Sequence, residues 1–171
     1  LASIEPEFRS GIPLHRRLLR PGLKADERGV EYPRESPVAA MDGSPDGNRV
    51  AIACEDGALY VRDIDTYELV EFTTLINDWK SAASVKFISD DRLMVGGEMR
   101  DGRGSIGLIA ISDVKLLRSH TKLADAVSSL DLSVDKRQLI VACDTGMVYA
   151  FTTDRLETPL WTWRYLHALP T

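Results

Sequence analysis

Short apolar segments separated by polar turns fill the chain from Pro37 onward. The segments are rich in Val, Ile, Leu and Tyr, and they read RVAIAC, ALYVRDI, ELVEFTTL, SVKFI, RLMVGG, SIGLIAI, QLIVAC and MVYAFT. Gly, Asp, Asn or Ser lies between them, which is the pattern of strands joined by hairpin turns. The best helical candidate, KLADAVSSLDL, continues directly into a strand-like segment. The pattern therefore predicts an all-β fold.

Three similar units follow one another in this region. They begin at Ser44, Ser89 and Ser133, which are 45 and then 44 residues apart. Each unit has an Asp-containing turn, an apolar strand ending in small residues, a second turn and a second apolar strand. Cys54 and Cys143 occupy the same position of two units, so we expect two buried free thiols in a reducing compartment rather than a disulfide or a zinc site.

The turns of these units have residues suited to tight reversals of the chain. In SPDG, Pro45 presets φ and Gly47 tolerates a positive φ, and Asp-Gly or Asp-Thr-Gly forms the second turn of each unit. The predicted turn residues are Asp46, Gly47, Asp56, Gly57, Asp101, Asp144 and Gly146. The small residues Ala53, Gly96 and Ala142 end the second strands, where we expect neighbouring units to pack closely.

A period of 40 to 45 residues with four short strands is the sequence mark of a propeller blade. SPDGNRVAIACEDGALYVRDIDTYELVEF resembles a WD40-type repeat, and the resemblance covers about residues 37–165. It implies three blades, at about 37–78, 79–122 and 123–165, and a brace by hydrogen bonding from Asp56, Asp144 and Asp101. The Trp-Asp pair of that family is replaced by Arg62-Asp63, Ala110-Ile111 and Phe151-Thr152, and its Gly-His pair is missing, so the quinoprotein-like propellers stay an alternative.

Three blades are fewer than the four to eight that close a propeller. The expected fold is therefore a partial β-propeller with two open edges, which need a partner because a repeat does not bury its face alone. Three explanations stay open. These residues are part of a larger propeller, an open edge docks on another subunit or on a copy of itself, or an N-terminal arm formed by residues 1–36 caps one edge.

Residues 1–36 have a different composition. They are rich in proline, and no acidic residue lies between Phe8 and Ala25, where arginines and a lysine give a local charge of +5. The prolines argue against a long helix, so we predict an irregular arm with a short strand or helical turn around Leu14 to Leu19. Arg16, Arg17 and Arg20 are candidates for binding a partner subunit, with an acidic partner or an RNA backbone as the alternatives.

The overall charge limits the classes of partner. Over 171 residues the net charge is −5, so strong nonspecific binding of nucleic acid by the whole chain is not expected. No apolar segment approaches the roughly 20 residues that span a membrane, and we see no signal peptide. We expect an intracellular, cytoplasmic protein, with a nuclear location as the alternative.

The histidines give no sign of catalysis. His15, His120 and His167 each lack a second His or Cys at metal-binding spacing, and no nucleophile motif accompanies Ser119-His120. We expect His120 to lie in a solvated loop. The sequence therefore predicts no catalytic residue, no metal site and no cofactor.

Two features are candidates for binding a protein partner. The glycine-rich GGEMRDGRG, residues 96–104, predicts an enlarged turn that presents Arg100 and Arg103. Trp79 is expected in a loop on the same side, either as an aromatic anchor for a partner or packed under its own loop. Trp161 and Trp163 alternate with Thr162 and are expected on one face of an outer strand, as core or edge cover.

Together these features favour a non-enzymatic scaffold that presents loops and strand edges to other proteins in a larger assembly. The alternatives are the propeller part of an enzyme, quinoprotein-like or accessory to a hydrolase, and a subunit that contacts RNA through the basic arm.

Overall fold

The computed structural model describes residues 36–66, 68–72 and 76–165. Within these ranges the chain forms twelve β-strands and no α-helix, so the all-β prediction is confirmed. In the same ranges, no helix has the length and apolarity needed to cross a membrane.

The predicted arm lies almost wholly outside the described residues. The candidate binding residues Arg16, Arg17 and Arg20 lie outside the described residues, and so do His15 and His167.

The strands form three antiparallel sheets of four, each in simple sequence order. Sheet 1 contains β1 (Val38–Gly43), β2 (Arg49–Cys54), β3 (Leu59–Asp63) and β4 (Leu69–Glu71). Sheet 2 contains β5 (Trp79–Ser89), β6 (Arg92–Met99), β7 (Gly104–Ala110) and β8 (Lys115–Leu123). Sheet 3 contains β9 (Val127–Leu132), β10 (Gln138–Cys143), β11 (Met147–Thr152) and β12 (Trp161–Arg164).

The apolar segments of the sequence coincide closely with these strands. RVAIAC is β2 and QLIVAC is β10, residue for residue. The helical candidate KLADAVSSLDL instead supplies the end of β8 and all of β9. Val127 and Leu130 are buried although they are three residues apart, because an irregularity in the pairing with Ala142 and Cys143 brings both to the same side of the strand.

The tight turns require a backbone conformation that glycine adopts readily. Gly47, Gly57, Gly102 and Gly146 have φ values of 72°, 83°, 86° and 79°. In the third unit the position of Gly47 is taken by Lys136, whose φ is 59°. The turn geometry is therefore kept even where a side chain makes it less favourable.

The first turns of units 1 and 3 also share their hydrogen bonds. The Ser44 hydroxyl donates to the Asp46 carboxylate at 2.5 Å, and the Ser133 hydroxyl donates to Asp135 at 2.6 Å. These hydroxyl bonds are the main cause that lowers the pKa of Asp46 and of Asp135. The units therefore repeat in their polar contacts as well as in their apolar pattern.

The sheets pack face to face in chain order. Strand β1 packs against β5, and β5 packs against β9. We call the side of a sheet that meets the next sheet its forward face, and the opposite side its rear face. One core lies between sheets 1 and 2 and contains Ala51, Ala53 and Val61 from the forward face of sheet 1, and Leu93, Val95 and Ile109 from the rear face of sheet 2.

A second core joins sheets 2 and 3. The forward face of sheet 2 supplies Met94, Ile106 and Leu108, and the rear face of sheet 3 supplies Leu139, Val141, Tyr149 and Phe151. Gly96 marks a close approach of the two sheets, because a Cβ there would lie 2.8 Å from Cγ1 of Val127. This confirms, for Gly96, the expected close packing at the end of the second strand.

Candidate functional site

Two of the predicted turn aspartates, Asp56 and Asp101, accept hydrogen bonds within their own turns. Asp56 Oδ1 accepts a hydrogen bond from the backbone N–H of Ala58 at 3.0 Å, and Asp101 Oδ1 accepts one from Arg103 at 3.1 Å. At Asp144 it is the backbone N–H that bonds, to the carbonyl oxygen of Ala126 at 3.1 Å. The first two carboxylates thus stabilise their hairpins locally.

The hairpin that joins β6 and β7 presents both candidate arginines to solvent. Arg103 forms a salt bridge with Asp101, with 2.5 Å between Nη2 and Oδ2. This hydrogen bond holds the pKa of the Asp101 carboxyl below its usual value. Arg100 lies against the preceding connection, where its Nε donates to the carbonyl oxygen of Asn77 at 3.4 Å. Both arginines are therefore exposed, but the charge of Arg103 is balanced by Asp101 in the same hairpin.

The expectation that this turn is enlarged is wrong. Residues Gly96 to Met99 belong to β6, so only residues 100–103 form the connection. The equivalent connection of sheet 1, residues 55–58, has the same length. The additional residues lengthen the two strands of the hairpin instead of its loop.

Trp79 does not lie in a loop, as the sequence led us to expect. It is the first residue of β5, is 5% exposed, and belongs to the core between sheets 1 and 2. An indole buried in this way offers little surface to a partner. We therefore assign Trp79 to the core.

His120 also lies in a strand, and its expected loop position is wrong. It is part of β8, opposite Ile106, and its ring is 5.3 Å from the ring of Phe151 in sheet 3. It thus packs at the boundary of sheets 2 and 3. No group of three or more His, Cys, Asp or Glu residues in the described ranges is arranged to hold a metal ion.

The cysteines are free and buried, in sheets 1 and 3. Burial raises the pKa of Cys54, and raises the pKa of Cys143 to about 11. Both thiols are therefore protonated at neutral pH and are poor nucleophiles.

The forward face of sheet 3 carries the largest exposed aromatic side chains of the described residues. Trp161 is 49% exposed and Trp163 is 56% exposed, so of the two expected roles, core or edge cover, the core role is wrong and edge cover stays a prediction. They lie on β12 opposite Ala150 and Val148. Next to Trp163, Tyr165 is also exposed and makes an edge contact with 5.8 Å between ring centres.

Apolar residues of β10 and β11 extend this surface across the sheet. Ala150 pairs with Ile140, and Val148 pairs with Ala142, so all four lie on the same face as the two tryptophans. We call this surface the open face; it consists of Ile140, Ala142, Val148, Trp161 and Trp163, while Ala150, which lies between Ile140 and Trp161, is fully buried. Within the described residues no further sheet lies on it, whereas the forward faces of sheets 1 and 2 are each covered by the next sheet.

The sequence contained part of the signal for the open face. The alternation Trp-Thr-Trp predicts that both indoles lie on one side of an outer strand, and the pairing of β12 with β11 confirms this. Whether that side is covered depends on the presence of a neighbouring sheet, which the alternation does not encode.

The comparisons with known proteins leave the family open. A scan against protein-family models finds no match to this chain, and a search of curated proteins finds none either. The open face and the β6–β7 hairpin are therefore interpreted from their geometry alone.

Proposed function

We propose that the protein is a non-enzymatic interaction scaffold, built as a partial, WD40-like propeller. The open face is the observation that carries this proposal. Exposed tryptophans on a sheet otherwise packed in a regular stack are typical of a binding surface, because Trp is strongly enriched at the centres of protein interfaces.

The rest of the described chain supports a binding role. Its three sheets share two large apolar cores, which give a rigid base for surface residues. The thiols are buried and protonated, and His120 is occupied by its contact with Phe151. The exposed tryptophans of the described residues both lie on the open face.

The proposal is tested by quantitative affinity capture from the source cells with the full chain and two double variants. We expect Trp161→Ser/Trp163→Ser to lose protein partners that the unchanged chain retains. Asp113→Ser/Lys115→Ser is the matched control, since it removes two exposed side chains elsewhere. If both double variants keep the same partners in the same amounts, or if the unchanged chain retains none, the scaffold proposal is wrong.

A further inference from the structure

The open face has the same arrangement of residues as the forward faces of sheets 1 and 2, which the next sheet covers. In each sheet, pairing between strands places equivalent residues on the forward face. Ala53, Gly96 and Ala142 are equivalent, because each lies at the same position of the second strand, on the side that faces forward. Two of these positions meet the next sheet, and only Ala142 does not.

The first strand of each sheet adds a specific polar contact to this packing. The Asp42 carboxylate, in sheet 1, accepts a hydrogen bond from the backbone N–H of Phe87 in sheet 2 at 2.7 Å. The Ser84 hydroxyl, in sheet 2, accepts one from the backbone N–H of Leu130 in sheet 3 at 3.1 Å. In both cases a side chain on the first strand of one sheet accepts a hydrogen bond from a backbone N–H at the edge of the next sheet's first strand.

Sheet 3 carries both of these acceptors. Ser129 lies opposite Ala142 as Ser84 lies opposite Gly96, and Asp131 lies opposite Ile140 as Asp42 lies opposite Ala51. Both Ser129 and Asp131 are exposed on β9. Within the described residues, the Ser129 hydroxyl has no hydrogen-bond partner.

The outer strand completes the match. His120 of sheet 2 lies opposite Ile106 and contacts Phe151 of the next sheet. By the same register, Trp163 of sheet 3 lies opposite Val148. Sheets 2 and 3 therefore both carry a large ring at this position, but within the described residues the ring of sheet 3 has no further sheet to pack against.

We infer that the open face binds a further four-stranded antiparallel β-sheet, through the same contacts that join sheets 1 to 2 and 2 to 3. At every second position of its second and third strands, the bound sheet presents an aliphatic or aromatic residue to the open face. A backbone N–H of its first strand donates to Ser129, and a second donates to Asp131. This inference rests on the proposed scaffold function and names the kind of partner that its open face takes.

A second copy of this chain does not meet the requirement. The matching surface of the chain is the rear face of sheet 1, and there Ile52 and Tyr60 are already 5% and 1% exposed. The rear faces of sheets 2 and 3 are covered inside the stack. The partner sheet therefore comes from a polypeptide segment other than these three sheets.

The test attaches a sheet of known rear face to the full chain. A second copy of residues 123–165 is appended after Thr171. The original sheet 3 carries Ser129→Cys, and the rate at which a maleimide labels this cysteine shows whether the open face is covered. Cys54 and Cys143 give little background because they are buried and protonated. We expect labelling at least tenfold slower than in the chain without the addition. Ser119→Cys, exposed on the rear side of β8, is expected to label equally in both.

A matched control keeps the addition but removes its apolar rear face. The appended copy then carries Leu139→Ser and Val141→Ser, and we expect the protection of Ser129→Cys to disappear. A second probe, an appended copy of residues 79–123, covers the case in which the first added sheet does not fold. Its rear face packs on sheet 1 in the native chain.

The polar contact has its own readout. In the chain with the intact addition, Ser129→Ala is expected to lower Tm by about 2 to 4 °C, and in the chain without it to leave Tm unchanged. Labelling of Ser129→Cys that stays fast with both probes would overturn the inference, while partner capture would still test the scaffold function independently. Labelling of the chain without an addition that slows as its concentration rises would also overturn it, since a second copy would then cover the face.

Discussion

The forward faces of sheets 2 and 3 are built alike and differ in what covers them. Met94 and Gly96 of sheet 2 pack against sheet 3, and a Cβ on Gly96 would meet Val127 at 2.8 Å. The equivalent Ile140 and Ala142 of sheet 3 are only half-buried. The apolar pattern of a strand thus specifies which side is suited to burial, while burial itself depends on a neighbouring sheet.

The largest expected contrast comes from truncating equivalent apolar side chains on the two faces. Met94→Ala is expected to lower the free energy of unfolding by about 2 to 5 kcal/mol, because it leaves a cavity in a packed core. Ile140→Ala is expected to cost half of that or less, because its site is open to solvent and no enclosed cavity forms. Urea unfolding of both variants measures the difference, and equal losses would show that the open face is covered.

Adding volume gives the opposite experiment on the same two faces. Gly96→Val is expected to destabilise by about 1 to 3 kcal/mol, since the new side chain would overlap Val127 and Leu130. Ala142→Val adds apolar volume to a half-buried position and is expected to change stability by no more than about 0.5 kcal/mol. Thermal unfolding followed by circular dichroism compares them. A loss at Ala142 as large as that at Gly96 would remove the distinction between the faces.

The serines of the two first strands test the polar part of the comparison. Ser84→Ala leaves the backbone N–H of Leu130 without its acceptor, for an expected cost of about 1 kcal/mol. Ser129→Ala removes an exposed hydroxyl and is expected to be neutral. Amide hydrogen exchange at Leu130 should be faster in the first variant only. Unchanged exchange in Ser84→Ala would mean that this hydrogen bond contributes nothing to joining the sheets.

The smallest expected effect checks that sheet 3 differs through its face rather than through its turn. Lys136 has a φ of 59°, at the position where unit 1 has Gly47. Lys136→Gly is expected to stabilise the protein by about 0.5 kcal/mol, because glycine adopts this conformation without strain. Gly47→Lys, the reverse change in sheet 1, should destabilise it. Equilibrium unfolding measures both, and a loss of stability in Lys136→Gly would contradict this explanation of the turn.

Much of the fold could be predicted from the sequence, because period-2 alternation and turn residues act locally. RVAIAC and QLIVAC become strands with the predicted bounds, and Gly47, Gly57 and Gly146 have the positive φ that their turns need. The functional surfaces were predicted less well. Trp79 and His120 were placed in loops because the first and last strands of sheet 2 are longer than those of its neighbours, and nothing local marks where such a strand ends.

The tryptophans of β12 show the same limit from the other side. Their alternation placed them on one face, but the exposure of that face depends on contacts between sheets. The hydrogen bonds from Phe87 to Asp42 and from Leu130 to Ser84 join residues 45 and 46 positions apart. Such contacts become visible only after the sheets are stacked, and they identify Ser129 and Asp131 as part of the site.

Quenching of tryptophan fluorescence by acrylamide tests the open face most directly, because the unchanged chain has only three tryptophans. Trp79 is buried between sheets 1 and 2, whereas Trp161 and Trp163 lie on the open face. In dilute solution we therefore expect two of the three tryptophans to be quenched readily and one to be protected. Protection of all three at every protein concentration would show that the chain itself covers this face, and would contradict the account.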